Sequence, residues 1–228
     1  MHTASVAIDG PVASGKSTAA RAVAQRLGSA YVDTGAMYRA AALGVLRNAI
    51  DPSSEAAIVA FLQSSPVTLE PDDAAPLGYR VRCGEAEAGT ELFDEAVSTV
   101  VSIVAAHPRV RSAMVEEQRR LASRLPVVMA GRDIGTIVLP DAGCKVFLTA
   151  SVDARVARRA AELSSLGVPF EHETLRAQIE ERDRLDSTRP VGSLRPADGA
   201  VVIDSSDLSA ADVVDRIVAL ARSNRSAP

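Results

Sequence analysis

Residues 10–18 read Gly-Pro-Val-Ala-Ser-Gly-Lys-Ser-Thr and directly follow the apolar run Val6-Ala7-Ile8. They match the G-x-x-x-x-G-K-[ST] pattern of a phosphate-binding loop (P-loop), in the strand–loop–helix context that this loop requires. Its glycines allow successive backbone N–H groups to point inward, its lysine reaches the β- and γ-phosphates, and the serine after it ligates Mg²⁺. The sequence therefore predicts a nucleoside triphosphate site, with Ser17 as metal ligand, formed by Gly10, Pro11, Val12, Ala13, Ser14, Gly15, Lys16, Ser17 and Thr18.

Lysine is rare in this chain, which favours the P-loop interpretation over a chance glycine-rich turn. Lys16 and Lys145 are the two lysines, and arginine supplies the other basic residues. An ammonium group acts as a compact point charge, which is what this loop uses against phosphate. The helix predicted after the loop carries apolar residues on one face, so its N-terminus points toward the anion.

The bulk composition indicates a compact cytoplasmic enzyme. The 228 residues suffice for one large domain, or for one core with inserted subdomains. A net charge of −4 and an aromatic content of 3% argue against nucleic-acid binding. The P-loop strand begins within the first ten residues, so we expect no leader, and no apolar stretch is long enough to span a membrane. Cys83 and Cys144 form no metal-binding or disulfide pattern, in agreement with a reducing compartment.

Short apolar runs alternate with amphipathic helical patterns along most of the chain. The runs cover residues 6–8, 30–32, 127–130, 146–148 and 201–203. Continuous apolar strands separated by helices favour a parallel sheet covered on both faces. We therefore predict an α/β fold with a five-stranded parallel sheet as its core.

One stretch interrupts this alternation. Between residues 66 and 91, apolar and polar residues alternate around a turn at 72–76, which predicts a small antiparallel hairpin or sheet. We interpret residues 39–104 as an inserted subdomain on the substrate side. A surface insertion without a function is the alternative.

Four further segments indicate a second, phosphorylated substrate. Residues 33–39 (Asp-Thr-Gly-Ala-Met-Tyr-Arg) and 131–133 (Gly-Arg-Asp) each follow a predicted strand, and strand carboxyl ends line the ligand crevice of α/β sheets. The third segment is Ser102 with residues 107–111. In the fourth, Arg182, Asp186 and Arg189 are spaced i, i+4 and i+7 and share a helix face. Purely structural interpretations of these segments remain open. Asp33 or Thr34 could cap a helix, Arg132 and Asp133 could close a turn as an ion pair, and the fourth segment could be a solvated helix face of paired charges.

Together these segments resemble the bacterial cytidylate kinases over nearly the whole chain. The resemblance rests on Ile8-Asp9-Gly10-Pro11 with the P-loop, and on residues 33–39, 108–111, 131–136 and 181–183, in that order and at matching spacing. It implies a nucleoside monophosphate kinase fold, with a parallel core, an insert that binds the monophosphate and a short helical lid at residues 153–170. It also implies transfer of the γ-phosphate of ATP to CMP or dCMP, with Mg²⁺.

The resemblance assigns roles to individual residues. It implies that Ser102, Arg111 and Asp133 read cytosine, which suits the chemistry because a carboxylate accepts from the N4 amine and an arginine donates to the ring acceptors. Uracil presents an oxygen in place of that amine, so CMP should be preferred to UMP. The remaining substrate contacts are Thr34 near the nucleotide, the phosphate-binding Arg39, Arg132 and Arg189, and the ribose-side pair Arg182 and Asp186. The implied catalytic set is Lys16, Arg132, Asp133 and the lid residues Arg155 and Arg159.

The chain departs from the family pattern at Ala130, where these kinases often carry an acid that supports the metal. Either Asp33 or Asp133 supplies that carboxylate, or Ser17, phosphates and waters hold the metal alone. The ratio of CMP to dCMP activity and the choice of donor are also left open.

Three other functions fit these residues less well. The first is a P-loop kinase of UMP, AMP or a non-nucleotide such as shikimate, which the Gly131-Arg132-Asp133 corner and the hairpin disfavour. A guanine-nucleotide switch would need an Asn-Lys-x-Asp reader, which the sequence lacks. A nucleic-acid-dependent ATPase is disfavoured by charge and aromatic content. We expect a monomer that acts on small-molecule nucleotides, without nucleic-acid or membrane partners.

Overall fold

A parallel sheet of five strands forms the centre of the structure, a computed structural model that describes residues 4–165, 167–189 and 191–225. The strands are β1 Val6–Asp9, β2 Ala30–Asp33, β3 Val67–Pro71, β4 Tyr79–Cys83, β5 Ala86–Ala88, β6 Val127–Gly131, β7 Cys144–Thr149 and β8 Val201–Asp204. The helices are α1 Lys16–Leu27, α2 Thr34–Arg47, α3 Glu55–Ser64, α4 Glu95–Val104, α5 Pro108–Arg124, α6 Val152–Ser165, α7 His172–Thr188 and α8 Ala210–Arg225. A 3₁₀ turn at Thr90–Phe93 and a π-helical turn at Ile134–Val138 complete the described elements.

The five central strands run in the order β2-β6-β1-β7-β8 and pair in parallel. Every residue of β1 and of β6 is buried, as the continuous apolar runs predict for strands covered on both faces. The predicted α/β fold with a five-stranded parallel core is therefore confirmed. Because β1, β2 and β6 are neighbours, the polar residues that follow them meet at one edge of the sheet.

The predicted antiparallel element is a three-stranded sheet in the order β3-β4-β5. It lies within residues 39–104, the predicted insert, together with α3 and α4. Residue 39 is inside α2, which begins at the end of β2 and is continuous to Arg47. The first boundary of the predicted insert therefore does not coincide with an element end, and the division into subdomains stays a prediction.

Helices α6 and α7 share a small apolar core of their own. It consists of Val156, Ala160, Leu175 and Ile179, and it is separate from the main core. Val12 of the P-loop packs against it. The predicted lid, residues 153–170, covers most of α6 and the segment after it, except that residue 166 lies outside the described residues. The pair α6–α7 is therefore in apolar contact with the P-loop.

No helix in the described part of the chain is long and apolar enough to cross a membrane.

Candidate functional site

The P-loop joins β1 to α1 in a conformation that needs glycine at its first position. A Cβ atom on Gly10 would overlap the carbonyl oxygen of Leu148 on β7. Gly15 precedes the first residue of α1 with a φ of 89°, a left-handed conformation that glycine adopts without strain. The loop thus lies close against the sheet, and the N-terminus of α1 opens toward the ligand side.

Lys16 begins α1 and is folded back into the loop. Its Nζ donates to the carbonyl oxygen of Pro11 at 2.5 Å and to Ser14 Oγ at 3.3 Å. Burial, with a smaller contribution from Arg132, holds the pKa of Lys16 well below its usual value. Lys16 has no carboxylate at ion-pair distance among the described residues, so a phosphate group would supply its anionic partner.

A cavity of about 220 Å³ extends from the P-loop along the carboxyl ends of β2 and β6. Besides Val12 and Ala13 of the loop, it is lined by most residues of the predicted site, which come from distant parts of the sequence. These are Lys16, Ser17, Thr34, Arg39, Ser102, Arg111, Arg132, Asp133, Arg159, Arg182, Asp186 and Arg189. Of the predicted catalytic and substrate-binding residues, Arg155 is the one that does not line it.

One end of the cavity contains a buried ion pair between Arg111 and Asp133, whose side chains are 5% and 7% exposed. Arg111 also donates to the carbonyl oxygen of Ala105 at 3.2 Å and lies 5.5 Å from the ring centroid of Tyr38. Burial raises the pKa of Asp133, and Arg111 opposes that effect. Ser102 lines the same cavity. The structure therefore brings together the three residues predicted to read the base.

Gly192 packs directly against this ion pair, a role that the sequence alone does not indicate. A Cβ atom there would overlap both Asp133 Oδ2 and Arg111 Nη2. The residue also has a φ of 69°, in the left-handed region that favours glycine. No motif marks it, because the close approach arises only when the loop after α7 folds over the end of β6.

Asp186 is the centre of a second buried cluster. Its carboxylate accepts from Arg132 Nε at 2.7 Å and pairs with Arg189 Nη2 at 2.5 Å. Burial alone would raise the pKa of Asp186, but Arg132 and Arg189 together lower it. Arg182, predicted to lie with Asp186 on the ribose side of the site, lines the same cavity.

Arg182 and Arg39 line the cavity without a carboxylate partner at ion-pair distance among the described residues. The Nε atom of Arg182 is buried without a hydrogen bond, and burial together with the charge of Arg132 lowers the pKa of this residue to about 10. Arg39 donates to Ser98 Oγ at 3.0 Å and to the carbonyl oxygen of Leu92 at 3.1 Å. Burial lowers the pKa of Arg39 as well. Both guanidinium groups are therefore suited to receive an anion.

The two predicted lid residues lie in different surroundings. Arg159 lines the cavity and pairs with Glu162 one turn along α6, at 2.7 Å. Arg155 is buried, donates to the carbonyl oxygens of Val12 and Ala150, and pairs with Asp183 of α7 at 2.6 Å. Since the donors of Arg155 are used within the protein, this residue ties α6 and α7 to the P-loop.

Ser17 and Asp33 provide a donor set that fits Mg²⁺. Asp33 Oδ2 accepts from Ser17 Oγ at 3.2 Å and from Tyr31 OH at 3.0 Å, while Oδ1 caps α2 through the backbone N–H of Ala36. The described residues contain no group of three or more His, Cys, Asp or Glu that could hold a metal ion. One hydroxyl and one carboxylate beside a phosphate-binding loop suit a magnesium ion that arrives with a nucleotide and keeps most of its waters.

Asp9 is a second residue with a structural role that the sequence alone does not indicate. Its buried carboxylate accepts from the backbone N–H groups of Ile134 and Gly135 at 2.7 and 2.8 Å. Burial raises its pKa to about 6, against the effect of these hydrogen bonds. Asp9 thereby holds the π-helical turn that follows Asp133. The position of Asp9 at the end of β1, next to the P-loop, was the available signal.

Comparison with known proteins agrees with this geometry. The family model described as cytidylate kinase matches residues 6–223. The cytidylate kinase of Geobacillus kaustophilus is 46% identical over 214 residues, which cover 94% of this chain and 94% of that protein. The cytidylate kinase of Oceanobacillus iheyensis is 45% identical over 213 residues, covering 93% of this chain and 91% of that one. A solved shikimate kinase from Acinetobacter baumannii, 16% identical with a TM-score of 0.45 over 98% of this chain and 95% of that one, is too distant to add to these matches. The chain belongs to the cytidylate kinase family.

Proposed function

We propose that this protein transfers the γ-phosphoryl group of ATP to CMP or dCMP, giving ADP and CDP or dCDP. The single observation that carries the proposal is one continuous cavity, with Lys16 and Ser17 at one end and the buried pair Arg111–Asp133 at the other. The family assignment supports the same reaction and does not favour the alternative of a UMP or AMP kinase. Action as a cytoplasmic monomer stays a prediction from the sequence.

The donor end is the P-loop. Its backbone N–H groups and Lys16 bind the β- and γ-phosphates, and Ser17 and Asp33 would hold the metal. When bound, Mg²⁺ neutralises charge on the phosphates that react. Lys16 exchanges its contacts with Pro11 and Ser14 for phosphate oxygens, which give the buried ammonium an anionic partner.

The acceptor end distinguishes cytosine from uracil. Asp133 accepts from the N4 amine, and Arg111 and Ser102 supply donors to the ring acceptors. With uracil, the Asp133 carboxylate would face a carbonyl oxygen and lose its hydrogen bond in a buried site. Sites that recognise a substrate through hydrogen bonds reject analogues that leave buried groups unpaired.

Arginines between the two ends bring two polyanions together. Arg39, Arg132, Arg182 and Arg189 surround the space where the acceptor phosphate would lie, and Arg159 reaches it from α6. A phosphate oxygen is already ionised near neutral pH, so no general base is needed. Catalysis then consists of in-line positioning and of neutralising the charge that repels the reactants.

Arg155 acts as a positioning residue in this proposal. It is not exposed to the cavity, but it bonds the carbonyl oxygen of Val12 in the P-loop and Asp183 on α7. If α6 closes over the nucleotide, the P-loop that holds the donor phosphates would therefore move with it.

A coupled ADP-release assay tests the proposal, with ATP and Mg²⁺ as donor mixture and CMP, dCMP, UMP and AMP as parallel acceptors. We expect turnover with CMP and dCMP, little with UMP and AMP, and none with any acceptor in a Lys16→Met control. Equal rates with CMP and UMP would contradict the base-reading role of Asp133 and Arg111. No turnover with any acceptor would contradict the proposed reaction.

A further inference from the structure

At the end of β6, beside the P-loop, this chain lacks the carboxylate that cytidylate kinases often carry. Ala130 occupies that position in β6 and is buried. In the parallel pairing of β2 with β6, its register partner is Asp33. Register partners on neighbouring parallel strands project their side chains to the same face of a sheet. A carboxylate is thus present on this face, one strand away from residue 130.

Asp33 contacts the metal-binding hydroxyl of the P-loop directly. Its Oδ2 lies 3.2 Å from Ser17 Oγ, and Asp33, Ser17 and Ala130 all line the nucleotide cavity. The hydroxyl of Tyr31 donates to the same Oδ2 at 3.0 Å. Such hydrogen bonds orient carboxylates that serve metals.

The other carboxylates of the cavity are occupied by arginine. Asp133 pairs with Arg111, Asp186 with Arg132 and Arg189, and Glu162 with Arg159. Asp9, close to Lys16, has both oxygens bonded to backbone N–H groups. Among the described residues, Asp33 is the cavity carboxylate with no cationic side chain at ion-pair distance. Its negative charge therefore remains available to a cation from outside the protein.

We infer that Asp33, in place of an acid at residue 130, supplies the protein carboxylate for the Mg²⁺ that accompanies the donor nucleotide. It acts next to Ser17 and holds the ion directly or through the waters that the ion retains. Asp133, the other carboxylate that the sequence leaves open for this role, is used by Arg111 instead. The inference rests on the proposed function, because it presumes a nucleoside triphosphate in the P-loop.

The test measures how much Mg²⁺ strengthens binding of the β,γ-imido analogue of ATP, by isothermal titration calorimetry in Mg²⁺ and in EDTA. This ratio of affinities is the coupling between metal and nucleotide, and it does not depend on turnover. Asp33→Asn retains a carbonyl oxygen that can cap α2 through the Ala36 N–H, so the variant should fold, as far-UV circular dichroism will check. Asp133→Asn is the matched control.

In Asp33→Asn we expect the Mg²⁺ effect to fall at least tenfold, while affinity in EDTA is retained or improved by the loss of a negative charge. In Asp133→Asn the Mg²⁺ effect should match that of the unchanged protein. A carboxylate restored at the register partner, in Asp33→Asn with Ala130→Asp, should recover most of it. An unchanged Mg²⁺ effect in Asp33→Asn, or a loss confined to Asp133→Asn, overturns the inference. Failure of the unchanged protein to bind the analogue would instead overturn the proposed function.

Discussion

Arg182 should lower the stability of the protein when no nucleotide is bound, because its guanidinium group is buried without a carboxylate partner among the described residues. Its Nε is buried without a hydrogen bond, and burial with the charge of Arg132 lowers its pKa from 12.5 to about 10. At about 1.4 kcal/mol per pKa unit, this fall corresponds to about 3 kcal/mol of unfavourable free energy in the folded state. Arg182→Met keeps an unbranched side chain of similar length and removes the charge.

We therefore expect Arg182→Met to be more stable than the unchanged protein when no nucleotide is present. For a chain of this size, about 3 kcal/mol raises the thermal midpoint by roughly 6–12 °C. The same change should weaken CMP binding by about 10- to 100-fold, because a hydrogen bond to a charged group contributes about 1.5–3 kcal/mol. Stability and substrate affinity should thus change in opposite directions.

The assay is differential scanning calorimetry with and without CMP, together with the KM for CMP. Arg184→Met is the matched control, since Arg184 lies on the same helix, is 61% exposed and pairs with Glu181. That variant should stay within about 0.5 kcal/mol of the unchanged protein. A midpoint for Arg182→Met at or below that of the unchanged protein, or an unaltered KM for CMP, would refute the reasoning.

Three further predictions follow from the same site. Arg132→Ala should abolish most phosphoryl transfer while leaving binding of an ATP analogue nearly intact, and an equal loss of both would show that Arg132 serves the donor instead. Gly192→Ala should raise the KM for CMP and lower the thermal midpoint, because its Cβ displaces Asp133 from Arg111, whereas unaltered values for both would contradict the observed packing. Asp9 holds its proton more tightly in the folded state, so its contribution to stability is present below about pH 4 and is lost as the pH rises through about 6. Urea unfolding should show this loss, up to about 3 kcal/mol, in the unchanged protein but not in Asp9→Asn, and parallel pH profiles would contradict it.

The parts of the fold that the sequence predicts are those set by neighbouring residues. The P-loop is a contiguous pattern, and the strands of the central sheet are short apolar runs flanked by polar turns. Each such signal is complete within about ten residues. The placement of Arg39, Arg132 and Asp133 at one edge could also be predicted, because each follows a strand and parallel strands end at the same side of a sheet.

The pairing of charges within the cavity could not be predicted, because it depends on packing between distant segments. The i, i+4 and i+7 spacing predicts that Arg182, Asp186 and Arg189 share a helix face, but it does not indicate that Arg132, which follows β6, reaches the carboxylate of Asp186. Similarly, the spacing of Arg155 and Arg159 places both on one face of α6. In the structure Arg155 bonds the P-loop, whereas Arg159 lines the cavity. Sequence spacing identifies which residues share a face, and tertiary contacts decide which partner each one takes.

The basic side chains around the cavity outnumber the acidic ones that pair with them. Among the residues that the structure describes, six arginines and Lys16 line the cavity, against the four carboxylates of Asp33, Asp133, Glu162 and Asp186, in a chain whose net charge is −4. Three of those carboxylates each hold arginines in place before any ligand binds. The uncompensated positive charge remains on groups such as Arg182 and Lys16, which are buried at a cost in stability. Two phosphorylated ligands would neutralise this excess, so the same residues that lower the stability of the folded protein should strengthen its binding of both nucleotides.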